Sequence, residues 1–207
     1  HGAAVRTVET ARALARSELP VGIVTDHPTQ WWEYSGDDFV VRHFPWWVRL
    51  LRLPGPLLKL LHHSKDLPHS NSFLYMPMTD SGFFWRILAA AKTIRPGILQ
   101  AEFPAYALPC IRTRDILDCQ VVLVEHNIEY ARLQAQLGAL SDAQYHNLKD
   151  IELHMCANSD AVVCVSDHDR QKLLDEGIRP SLLHTISHGV NLADYAAPAL
   201  PGVRQKY

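Results

Sequence analysis

Four cysteines in 207 residues, at positions 110, 119, 156 and 164, stand at no CxxC spacing. A zinc knuckle, a redox pair and a disulfide framework are therefore disfavoured. The thiols read as reduced, three of them in or beside apolar segments, which suits a cytoplasmic setting. No apolar run approaches the roughly twenty residues that a membrane span needs. A complete GxGxxG is missing, which counts against a nicotinamide-dependent oxidoreductase. Twelve histidines are present without HExxH or CxxC companions, so neither a metal nor another cofactor is expected. Charge of either sign is nearly balanced at a formal −2, which speaks against a nucleic-acid partner held by phosphate neutralisation.

Acidic residues are absent from Phe39 to Lys65, whereas Arg42, Arg49, Arg52, Lys59 and Lys65 are basic. Trp31-Trp32 precedes this stretch, and Trp46-Trp47 and many leucines lie inside it. Tryptophan and arginine beside leucine are the make-up of an interfacial segment on an anionic membrane, with Trp46, Trp47, Arg49 and Arg52 as its contacts. A helix burying its leucines while its arginines stay solvated explains the same composition. Prolines at 45, 54, 56, 68 and 77 break any long element in this region.

Elsewhere the chain alternates. Helical spacing (Val5, Val8, Ala11, Leu14, Ala15) starts almost at once, and strands are expected at 21–25 and 38–44. A helix follows at 83–94, a strand at 98–102, a helix at 105–113, a strand at 120–125 and a helix from Ile128. A longer helix runs from about Asp142 to Ala157. Then come a strand at 161–165, a helix at 167–175 stopped by Gly177, and a last strand at 182–186. Strands alternating with helices predict a Rossmann-like, three-layer α/β domain with a mostly parallel sheet. Val121-Val122-Leu123-Val124 is the continuous apolar run of a buried parallel strand, and it delivers Glu125, His126 and Asn127 to the edge where such sheets bind ligands.

Four landmarks fall in order. Gly2-Ala3-Ala4-Val5-Arg6 looks like the end of a glycine-rich loop feeding a helix. The Val121–Val124 strand ends in Glu125-His126-Asn127. Asp160 to Ser166 precedes a helix containing Leu173 and closed by Gly177. Ile186-Ser187-His188-Gly189-Val190-Asn191 leads to Asp194-Tyr195. Together they resemble the amino-terminal domain of family-four glycosyltransferases, one half of a GT-B fold, over nearly the whole chain.

That resemblance implies transfer of a sugar from a nucleotide-sugar to an acceptor, with retention, metal usually not being required. It implies an acceptor-side domain over residues 1–197 without its first strand, the start of an interdomain linker at 198–207, and a donor domain absent from this sequence. The partners it implies are a nucleotide-sugar, a glycan or lipid-linked acceptor, that missing domain and, for cell-envelope glycan or glycolipid synthesis, the inner face of a membrane. It makes His126 the catalytic histidine and a donor contact, Gly2 a donor-phosphate contact and Glu102 an acceptor contact. His126 is then expected to look into an open cleft.

The same residues have plainer readings. His126 is a satisfied histidine at a strand–helix junction, Glu102 a loop carboxylate or half of an ion pair, and Gly2 a frayed terminus. Glu125 and Asn127 are candidate orienters of His126, with Asn127 favoured as the cap of the next helix. Ser166 or Asp167 caps the helix at 167, and His188-Gly189 forms a turn near the cleft. The rival to the enzyme is a stand-alone Rossmann-like small-ligand binding domain without catalysis.

Overall fold

The computed structural model describes residues 2–35, 38–51, 81–137, 141–187 and 189. Helix α1 (Gly2–Arg16) turns Ala11 and Ala15 inward against Tyr34, Val21 and Ile23. Strands β1 (Val21–Ile23), β2 (Gln30–Ser35) and β3 (Asp38–His43) form an antiparallel sheet in the order β1-β2-β3. Val21 faces Tyr34, and Ser35 faces Asp38. This sheet departs from the parallel arrangement expected for the strands at 21–25 and 38–44, and β2 was not expected at all. The connections between these strands are too short for the crossover that parallel pairing requires.

Helices α2 (Trp46–Leu50) and α3 (Ser81–Ile94) pack beside this sheet, closing a cluster of Trp31, Phe44, Val48, Ala89 and Ala90. Gly22 lies where β1 passes α3. A Cβ there would stand 2.2 Å from Ile94 Cδ1 and 3.2 Å from the Trp31 ring, so the backbone comes this close only because the side chain is missing.

The second half has the predicted alternation. β4 (Ile98–Glu102), α4 (Pro104–Arg114), β5 (Gln120–Glu125), α5 (Glu129–Leu137), α6 (Asp142–Asn158), β6 (Ala161–Cys164), α7 (Asp167–Asp175) and β7 (Leu183–Thr185) follow in order. The four strands are parallel, in the spatial order β4-β5-β6-β7. The fold is α/β and Rossmann-like, a parallel sheet flanked by helices. β5 is an inner strand, and Val121 and Leu123 are fully buried in the main core with Tyr130, Leu133, Cys156 and Leu173. Burying each such aliphatic side chain contributes about 1.5–3 kcal/mol.

Local chemistry sets the helix ends. Ser141 and Gln144 form a reciprocal capping box at α6. Ser166 caps α7 by accepting from Asp169 N at 3.1 Å, and Gly177 (φ +87°) closes it. All four cysteines are free; Cys110, Cys156 and Cys164 are buried. Burial pushes the Cys110 and Cys164 thiols up to about 12, so they stay protonated. The expected linker at 198–207, and the membrane contact expected from Arg52, lie outside the described residues.

Candidate active site

Parallel pairing brings the carboxyl ends of β4 and β5 side by side, with Glu102 opposite Val124. Beyond the ladder, Phe103 N donates to Val124 O at 3.1 Å. His126 leaves β5 just past that point, and its Nε2 lies 2.6 Å from Glu102 Oε2. A carboxylate only accepts, so Nε2 carries the hydrogen of this bond. Gln100 Nε2 donates to the other carboxylate oxygen, Oε1 of Glu102. Two residues singled out separately from sequence are thus one unit.

The His126 ring also packs on Phe103, with centroids 4.5 Å apart at 33°. Phe103 itself has φ 96° and ψ 151°. This region is essentially reserved for glycine and costs a bulky residue of order 1–3 kcal/mol. Pro104 follows it and disfavours the helical region for Phe103. Nothing in the sequence beyond that Phe-Pro pair signals the strain.

His126 is only 7% exposed, which corrects the expectation of an imidazole open to a cleft. Among the described residues, Glu102 bonds the ring and Phe103 packs on it. Asn127 is exposed and is not what caps α5. The cap comes from α6: Glu152 Oε1 accepts from Glu129 N at 2.8 Å and Oε2 from Tyr130 N at 2.9 Å. Glu125 is no orienter either. Alternation along β5 sends it to the opposite face from Val124, where it is fully buried and accepts from Cys156 Sγ at 3.3 Å. Its Oε2 has no partner among the described residues.

Glu125 and Glu152 are therefore two buried carboxyls in mutual range. Burial, then repulsion from Glu152, raises Glu125 well above its usual value. Burial raises Glu152 to about 8, against the pull of the Tyr130 and Glu129 N–H groups. Glu125, with an oxygen lacking a donor, is the better holder of the proton.

Gly2 opens α1, as the sequence reading expects, and α1 lies against β1 and β2. It opens the antiparallel half of the chain, whereas His126 and Glu102 belong to the parallel half. Trp31, included in the interfacial reading, is buried at 3% and belongs to the core, as do Phe44 and Val48. Trp46, Trp47, Leu50 and Leu51 do face solvent. Among the described residues, no three His, Cys, Asp or Glu side chains converge as metal ligands would, and no helix is long and apolar enough to cross a membrane.

Residues 1–194 match the family described as Glycosyltransferase Family 4. The chain belongs to that family. No curated protein matches it. In this family-four glycosyltransferase domain the histidine–glutamate pair lies at the carboxyl ends of two neighbouring parallel strands.

Proposed function

We propose that this glycosyltransferase chain is the acceptor-side half of an enzyme that moves a hexosyl group from a nucleotide-sugar to an acceptor with retention. The His126–Glu102 bond at the carboxyl ends of β4 and β5 is the observation that carries this reading. Glu102 fixes the ring so that His126 makes a polar contact to the transferred sugar. The rate gain comes from oriented donors that stabilise the departing diphosphate, without a protein nucleophile. Gly2 at the start of α1 adds backbone N–H contact to the donor phosphates. A facing second domain binds the rest of the donor, and no metal takes part. The acceptor is a glycan or a lipid-linked glycan of the cell envelope, met at the cytoplasmic face of a membrane. The exposed Trp46, Trp47 and Leu50 support that last point.

The test is incubation of the full-length protein with a panel of UDP-, GDP- and ADP-sugars and simple glycoside or lipid-phosphate acceptors. Release of nucleoside diphosphate that depends on acceptor supports the proposal. Saturable binding of a nucleotide-sugar without turnover supports the rival, a binding domain. The enclosure of His126 is the observation that favours that rival.

A further inference from the structure

Between the last paired residue of β5, Glu125, and the first bonded N–H groups of α5 lie only His126, Asn127 and Ile128. The upstream side of this turn is fixed by the ladder pairing Glu125 with Cys164 and by the bond from Phe103 N to Val124 O. The downstream side has no local cap. The opening N–H groups of a helix lack partners within it, and the usual remedy is a nearby Ser, Thr, Asp or Asn. Here the partner arrives from α6, 23 residues along the chain. Glu152 is 3% exposed, and both of its oxygens are used.

One helical turn further along α6, Cys156 bonds the side chain of Glu125. Residues 152 and 156 lie on one face of the helix. That face therefore grips both ends of the three-residue turn. A carboxylate is costly to bury, and a plain structural junction would be served by a local asparagine cap. The placement of Glu152 makes sense when the turn between the two grips must be held in one position.

We propose that Glu152 is a positioning residue: by capping α5 from α6 it holds the turn that sets the His126 ring against Glu102. This rests on the role given to His126 above, but the test below separates the two. In Glu152→Gln one oxygen becomes an NH2 group facing a backbone N–H, so the bidentate cap is lost at nearly constant volume.

The readout is the Nε2–H proton of His126 in the full-length chain with 15N-labelled histidine rings, assigned by its loss in His126→Ala. Held 2.6 Å from a carboxylate, this proton is expected far downfield. The inference predicts that the signal shifts or disappears in Glu152→Gln while circular dichroism stays unchanged. Met155→Ala opens a cavity in the same helix without touching the cap and should leave the signal in place. If Glu152→Gln does not fold, Glu152→Asp, one methylene short of both N–H groups, is read in the same way. An unmoved signal in a folded Glu152 variant overturns the inference, and so does an equal movement in Met155→Ala. These outcomes do not depend on turnover. A catalytic failure of His126 would leave them intact, and a failure here would leave the activity test intact.

Discussion

His126 Nε2 and Glu102 Oε2 lie 2.6 Å apart, joining the carboxyl ends of two neighbouring parallel strands whose backbones are already paired. The bond is short, shielded and charge-assisted, the kind that orients a ring more than it stabilises a fold. Glu102→Gln keeps the size and an acceptor, so its cost to stability is expected to be about 1 kcal/mol. Glu102→Ala leaves a ring N–H without its partner in a nearly closed site and should cost about 1–3 kcal/mol. Urea denaturation of both variants checks the order. Equal midpoints for the two would mean that the bond does not hold the ring.

The buried carboxyls make stability depend on pH. Burial raises Glu152 from an ordinary 4.5 to about 8, and burial together with repulsion from Glu152 raises Glu125 in the same direction. The pair holds a proton in the native state, on Glu125, that the unfolded chain has lost. Its contribution is therefore full below the unfolded value and is lost as pH climbs through the folded one. Glu129, Asp169 and Lys172 also face this pair, two of them adding to the repulsion. The melting temperature should fall between about pH 5 and pH 8. Glu125→Gln, which imitates the protonated acid, should flatten that slope. A slope unchanged by the substitution would place the titration elsewhere.

Much of the parallel half was legible because its signals are local. The apolar run of β5, the cap at Ser166 and the stop at Gly177 all act within a few residues. β2 was missed because Trp31-Trp32 reads as surface aromatic when its strand partners are unknown. Only pairing with β1 and β3 turns Trp31 into the core. The site was half legible. His126 and Glu102 could be named, but their bond depends on the register of β4 against β5. The cap from Glu152 was illegible because it crosses between helices far apart in sequence. Asn127, the residue with the right local chemistry, stays in solvent.

The exposed aromatic edge gives a separate prediction. Trp46 is 73% and Leu50 72% exposed on α2, in a stretch free of acidic residues. Vesicles rich in anionic lipid should co-sediment the full-length protein at low salt, and Trp46→Ala/Trp47→Ala should release most of it. Trp47 also meets Trp85 edge-on at 6.3 Å, so Trp46→Ala alone is the cleaner variant for stability. Equal binding by wild type and double variant would confine this patch to intramolecular packing.

The contact proposed between His126, at the end of β5, and the sugar being transferred bears the most weight. Its most direct test is His126→Ala in the full-length protein, with nucleoside diphosphate release followed on the donor that the panel identifies. A fall in kcat of about 100-fold or more is expected, the size seen when an oriented polar group is removed from a reaction centre, with the fold retained by circular dichroism. Turnover within a few-fold of wild type would contradict it.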